Sequence, residues 1–400
     1  MSAVSGRLPL IFSCIGHAYM HLFTAFYFVI VLALEGAWQR PYHELIELWA
    51  LGSLLVGVGA LPAGWLADRW SASGMMVVFF VGLGVAGIVC GLVDSTTAMF
   101  LGLSAIGLFS AIYHPVGIAW LVRNSTARGK ALGINGIFGS VGIASAALTA
   151  GALIDAFGWR AAFIVPGAVS LITGVALFVC MRRGLVPEGR VVHRGDPEPS
   201  RGAMARAFAV LLLTMAIMGI VFQASQAAIP KMFDLRLRDL AGSGTFGIGL
   251  IVALVYTVGG ITQVVGGHLA DRYPLKPIYL GAFVLQVPVL VGIAAVGGVP
   301  LIGLAALMVL LTSAALPAEN LLLARYTPQR HHGLAYGVKF VLAFGTAPLS
   351  IMMVSAIQAR TGEFVWLFIT LAGFALAAVL AAALLPGEGR REAPRPMAAE

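Results

Sequence analysis

Charged side chains are scarce in this sequence: Lys and Arg number 25 and Asp and Glu 17, about one residue in ten of the 400. A soluble domain carries roughly a quarter, so a water-exposed globule is excluded. Cysteine is scarcer still. Cys14, Cys90 and Cys180 all lie within apolar runs, where unpaired packing is the default, so a disulfide scaffold is excluded too. No glycine-rich phosphate loop ending in Lys-Ser/Thr occurs, which removes ATP hydrolysis as an energy source. The adjacent pair His331-His332 has no partnering cysteines, so neither a metal nor any other cofactor is expected. No paired carboxylates and no nucleophile–base set fall at one depth of the chain, which argues against an enzyme.

What the sequence has in abundance is apolar residues, 60% of the chain. A bilayer-crossing helix needs roughly 20 of them in succession, and hydropathy places twelve such spans. The first six lie near 9–35, 45–66, 74–93, 97–121, 130–154 and 159–181. The second six lie near 207–230, 246–269, 277–297, 299–324, 333–357 and 363–385. The first is too long for a cleaved leader. Residues 1–181 thus form one six-helix bundle and 207–385 another. The stretch 182–206, with Pro187, Pro197, Pro199 and six arginines, cannot bury a core and reads as a linker. Residues 386–400 read as a disordered tail. Cutting the chain at these boundaries places eighteen basic residues on the side of the linker and termini, six on the other side, and Lys339 inside a span. By the positive-inside rule both termini are expected in the cytoplasm. The net charge of +8 is then topology and needs no nucleic-acid partner.

The two halves echo each other. Span two ends Gly64-Trp-Leu-Ala-Asp68-Arg69 and span eight ends Gly267-His-Leu-Ala-Asp271-Arg272, five of six positions being identical at an offset of 203. Gly129, Ala131 and Gly133 match Gly333, Ala335 and Gly337 at an offset of 204. The Gly-x-Leu-Ala-Asp-Arg loop and its echo resemble the signature of the major facilitator superfamily. That resemblance implies an all-α membrane fold of twelve helices in two pseudo-symmetric halves. It also implies that Asp68 caps the start of span eleven near Gly333, and Asp271 the start of span five near Gly129. A carboxylate there meets unpaired N–H groups and the positive end of the helix dipole. Such latches would hold an outward-open state. The alternative is that both Asp-Arg pairs are solvated loop charges. The family's basic residues further along the loop are replaced by Ala72 and Ser73 in the first copy, while Lys276 remains in the second.

A more particular similarity lies in Phe109-Ser-Ala-Ile-Tyr113-His114-Pro115, in Arg128-Gly-Lys-Ala-Leu132 and Phe138-Gly139, in Gly16-His17, and in Ala318-Glu319-Asn-Leu-Leu322. These segments resemble the fosmidomycin-resistance group of drug exporters. One departure matters: His21 stands where that group's span-one acid aligns, so its proton-coupling scheme does not carry across. Span four also lacks the buried arginine, and span five the Gly-Pro step, of many drug/proton antiporters.

Ionisable groups at bilayer depth are costly and usually mark a pathway. At about 1.5 Å per residue, His17 lies about 12 Å in, His21 about 18 Å and His114 about 11 Å from the linker side. His17 and His21, four apart, share a helix face. Glu319 and Lys339 both lie about 9 Å inside, on neighbouring helices, where pairing would let each tolerate burial. These five are the candidates for proton coupling or substrate binding. Each histidine alternatively ties helices together, and the Glu–Lys pair alternatively is structural. Tyr113, Gln223, Gln226 and Asn320 are the expected cavity residues. The glycines of span five suit close helix approach.

The expected function is secondary transport by alternating access: proton-coupled export of a small amphipathic or anionic compound. An importer or facilitator of an organic anion or lipid-like molecule is the alternative, and a polytopic enzyme or receptor the remotest. The expected partners are that compound, a proton or other coupling ion, and the lipid of a bacterial-type inner membrane, with the protein working as a monomer.

Overall fold

The computed structural model describes residues 7–125, 128–186, 201–327 and 332–387. Every regular element among them is helical. Among the described residues, eleven helices are long and apolar enough to span a bilayer, and a twelfth does so in two pieces. The first half comprises α1 (Leu8–Trp38), the broken α2 (Tyr42–Val58 and Ala60–Arg69), α3 (Ala72–Leu92), α4 (Thr96–Arg123), α5 (Ala131–Phe157) and α6 (Trp159–Arg182). The second comprises α7 (Met204–Arg236), α8 (Thr245–Arg272), α9 (Leu275–Ala295), α10 (Gly298–Arg325), α11 (Gly337–Thr361) and α12 (Val365–Ala383). Large apolar side chains stand exposed on outward faces, among them Ile172 at 68% and Leu380 at 65%, as a lipid-facing surface requires.

Local chemistry sets the ends. Ser71 Oγ accepts from the Gly74 N–H at 2.8 Å and Ser95 Oγ from that of Ala98 at 3.2 Å, capping α3 and α4. Gly158 and Gly362, with φ of 84° and 68°, make the tight turns α5–α6 and α11–α12. The break in α2 is a bend of 42° at Gly59, where a Cβ would stand 2.9 Å from Ala111 of α4. The expected linker is shorter than the composition implies, because a helix already runs from Arg201. Most of that linker, and nearly all of the expected tail, lie outside the described residues.

Each half uses an arginine to close its third helix. Arg160 donates to the carbonyls of Gly91 (3.0 Å) and Val93 (3.2 Å) and pairs with Asp94. Arg236 donates to those of Ile293 (3.1 Å) and Val296 (3.2 Å) and pairs with Glu363 at 2.8 Å. These cations meet the negative ends of α3 and α9. Lys276, the basic residue kept in the second loop, donates to the carbonyls of Ala383 (2.8 Å) and Leu385 (2.5 Å) at the end of α12.

The halves meet on the side away from the linker. Glycines bring backbones together there: a Cβ on Gly57 of α2 would stand 2.6 Å from the Gly345 nitrogen of α11, and one on Gly249 of α8 2.3 Å from the Ala147 carbonyl of α5. Polar contacts lock this far side. Lys231 of α7 pairs with Glu35 of α1 at 2.6 Å. The Tyr42 hydroxyl donates to the Ala227 carbonyl at 3.0 Å, and Ser355 Oγ to Glu47 at 2.5 Å. Asp155, at the end of α5, accepts from the backbone N–H groups of Thr245 and Phe246 at 2.9 Å each, capping α8 across the interface. Losing this cap through Asp155→Ala should cost the closed far side about 1 kcal/mol, a roughly fivefold change in population. Spin-label distances between the far ends of α5 and α8 should then show the longer-distance population rising by that factor; an unchanged distribution would show that Asp155 does not hold the closure.

Candidate functional site

With the far side closed, the halves splay towards the linker side around a cavity of about 990 Å³. Its mouth is lined by Gly64, Ala67, Asp68 and Arg123, its walls by α1, α4 and α5 on one side and α7 to α11 on the other.

The first-half wall is built on a local irregularity. Pro115 has no N–H to continue the α-helical ladder, and Tyr113–Gly117 of α4 form a π-turn, a widening often found at functional positions. It turns His114 towards the cavity and Tyr113 behind it. His17, His21 and His114 form a triangle with ring centroids 5.0, 5.4 and 5.5 Å apart, and all three line the cavity. Gly139 makes room for His17, since a Cβ there would stand 2.7 Å from its ring. Phe340 and Phe344 of α11 stack on His114 at 4.6 and 5.3 Å, so the ring touches both halves.

Tyr113 corrects the expectation of a cavity aromatic. It is fully buried, and its hydroxyl donates to the Ser13 carbonyl at 2.8 Å and accepts from Asn135 Nδ2 at 2.8 Å. Ser13 Oγ donates onward to the Gly117 carbonyl at 3.1 Å. Tyr113 is thus the polar knot joining α1, α4 and α5. Gly16 and Gly117 leave space for it, for a Cβ on either would come within 3.0 Å of its ring. His17 rests on this knot: its Nδ1 lies 2.8 Å from the Asn135 carbonyl oxygen. Because a carbonyl only accepts, that nitrogen carries the proton.

The second-half wall carries the buried ion pair. Lys339 Nζ lies 2.7 Å from Glu319 Oε1 and donates to Asn320 Oδ1 at 2.5 Å. The Tyr279 hydroxyl donates to Glu319 Oε2 at 3.1 Å and lies 2.8 Å from Thr214 Oγ1. A chain of polar groups therefore runs from α7 through α9 and α10 to α11, ending at the cavity, which Glu319, Asn320 and Lys339 all line. Gln223 and Gln226 do not line this cavity. They face a second space of about 20 Å³, enough for one water, beyond the floor; His21 and Phe344 border both spaces.

The loop residues divide. Asp68 pairs with Arg123 of its own half at 2.8 Å, and Arg69 lies over Trp65 at 4.1 Å. Gly64 packs tightly against Pro115, where a Cβ would stand 3.3 Å from the proline side chain, and Gly267 faces open space. Asp271 and Arg272 stand exposed at the end of α8. The linker-side mouth is open, so in this state Asp68 stays within its own half while Asp155 caps across the opposite side. Asn135, Tyr279, Thr214 and Phe340 join the site without any motif in the sequence that marks them. The one available signal was an amide, hydroxyls and an aromatic next to a charge inside otherwise apolar spans.

Comparison with known proteins agrees with this architecture. The sequence model described as Major Facilitator Superfamily matches residues 11–247 and 211–400. Multidrug resistance protein MdtG of Escherichia coli (strain SMS-3-5 / SECEC) is 23% identical over 263 residues, 62% of each chain; that of strain K12 / DH10B gives the same figures. This chain therefore spans about three-fifths of the length of these curated relatives. Among solved structures, a bacterial homolog of the human lysosomal transporter Spinster superposes in its inward-facing states. The unoccupied form has a TM-score of 0.69 and the occupied form 0.71, each at 14% identity and covering 96% of this chain and 95% of that one. At that identity the likeness is one of fold.

Breaking a buried pair by neutralising one partner typically costs about 3–5 kcal/mol, whereas removing both is far milder. Glu319→Gln and Lys339→Met should therefore each lower the unfolding temperature of the detergent-solubilised protein by several degrees, and the double variant should regain most of the loss. Additive losses in thermal unfolding would show that the two charges act independently.

Proposed function

Because the chain belongs to the major facilitator superfamily, and is thus a multi-pass membrane transporter, we propose that it exports a small amphipathic compound in exchange for protons, with the linker side and both termini in the cytoplasm. The observation that carries this reading is the Glu319–Lys339 pair facing the cavity at 2.7 Å. A compound whose polar end donates hydrogen bonds to Glu319 binds best to the ionised carboxylate. A proton on Glu319 removes the charge and turns one carboxyl oxygen into a donor, leaving a weaker contact. Occupancy by one then disfavours the other, which is the competition that exchange requires. The stacked Phe340 and Phe344, with Met215, Met218 and Phe222 across the cavity, supply an adaptable apolar surface for the remainder of the molecule. The multidrug-resistance name carried by the relatives points the same way.

Lys339 supports one rival reading. If protonation of Glu319 releases the ammonium, an organic anion can pair with Lys339, and proton and anion then travel in the same direction as an import or facilitated movement. The two readings differ in the sign of coupling. The histidine triangle lies on the opposite wall and belongs to the substrate surface in both.

In this reading the far-side contacts hold the inward-open state, and the Asp68 and Asp271 loops close the cytoplasmic side when the halves rock outward. The experiment is a panel of amphipathic and anionic compounds in proteoliposomes with pH gradients of either sign. Export against the compound's gradient, driven by protons moving the other way, is the expected result; accumulation with the protons establishes the rival. Glu319→Gln should abolish the pH-driven component and leave only a weakened exchange of labelled for unlabelled compound, because the amide keeps a carbonyl acceptor but not the charge. Flux that still follows the pH gradient in this variant overturns the role of Glu319.

A further inference from the structure

We propose that His17, His21 and His114 form a tridentate site for a divalent transition-metal ion, with one coordination position open to the cavity for an anionic oxygen donor. This goes beyond the transport reading and does not depend on how transport is coupled.

Three observations carry it. First, one ring nitrogen from each of the three residues lies within 4.8 Å of the others. Tetrahedral coordination at about 2.0–2.1 Å would bring such nitrogens to roughly 3.3 Å apart. His21, half-buried and bordering cavity space on two sides, has the freedom to close that gap by side-chain rotation. Second, His114 is buried at 9% exposure, and neither of its ring nitrogens has a hydrogen-bond partner among the described residues. An imidazole always has a lone pair or N–H to satisfy, and leaving both nitrogens bare at depth is costly. A metal satisfies one of them directly. Third, His17 is oriented as metal-binding histidines are. Its Nδ1 proton goes to the Asn135 carbonyl at 2.8 Å, which leaves the lone pair on Nε2 and fixes the ring. Asn135 is itself held by Tyr113 and Ser13, so the outer support of the site is already in place.

The donor set selects the ion. Three neutral imidazoles suit Zn²⁺, Co²⁺, Ni²⁺ or Cu²⁺ and are poor partners for Mg²⁺ or Ca²⁺. Charge selects the fourth ligand. The carboxylates lining the cavity are Asp68, paired with Arg123 at the mouth, and Glu319, paired with Lys339. Neither is free to neutralise a dication held by the histidines, so the balancing anion enters from the cavity. A carboxylate or phosphonate group on a small molecule has the required chemistry.

The test uses the untagged full-length protein in detergent, stripped of metal and titrated with Co²⁺. One equivalent should bind with a visible absorption band, and added acetate should shift that band by entering the open position. His17→Gln, His21→Gln and His114→Gln should each weaken Co²⁺ binding at least tenfold, while the double variant His331→Gln/His332→Gln should bind as the parent does. X-ray absorption of the Zn²⁺-loaded parent should show three imidazole nitrogens at about 2.0–2.1 Å, a reading that needs no variant to fold. Unchanged binding in all three single variants, or fewer than three nitrogens around zinc, overturns the site. A band indifferent to acetate overturns the open position. None of these readouts involves a pH gradient or a transported compound. A protein that binds no metal yet exchanges protons for substrate refutes only the site; one that binds metal yet shows no proton-driven flux refutes only the coupling.

Discussion

A hydrocarbon layer offers no water to an ionised side chain, and every other feature of this molecule answers to that constraint. The two opposite charges at equal depth on neighbouring helices, Glu319 and Lys339, sit 2.7 Å apart, with Tyr279 and Asn320 taking up much of their remaining hydrogen-bonding capacity. Burial of either alone would be strongly unfavourable. Together they place an ion pair against a cavity without uncompensated charge. Among the described residues, Arg160, Arg236 and Lys276 meet the negative poles of α3, α9 and α12 near helix ends.

The same constraint explains how the halves are joined. Between two apolar surfaces in lipid there is little hydrophobic gain in association, so close backbone approach and hydrogen bonds must supply the attraction. The far side shows both. Glycines admit contacts that any Cβ would block, and Asp155, Lys231, Tyr42 and Ser355 bridge the halves. Each polar bridge is individually modest. The device expected on the linker side, an acidic residue capping a helix of the other half, is found on the opposite side in Asp155, while the linker side stands open.

Much of this was legible in the residues. Twelve spans follow from runs of apolar side chains, and their observed bounds differ from the hydropathy reading by a few residues, most at α11 and at α7, whose helix begins within the expected linker. The Glu319–Lys339 pair could be foreseen because depth is simply residues counted from a helix end. His17 and His21 share a face for the same reason. Other positions were opaque. Nothing local says that Tyr113 points behind its helix while His114 points into the cavity; that depends on a π-turn around Pro115. Nor could Gln223 and Gln226 be separated from the main cavity, because the floor between them is made where α1, α7 and α11 converge.

The sequence by itself therefore determined the solvent of this protein, its twelve spans, its twofold repeat and the depth of its buried charges, because each depends on composition and spacing along one helix. Only the tertiary structure decided which side is closed, which helix end each charge caps, and that three histidines from two helices meet at one point with Phe340 and Phe344 against them. Those facts depend on how helices rotate and how two halves tilt. Spacing along one helix carries no information about either.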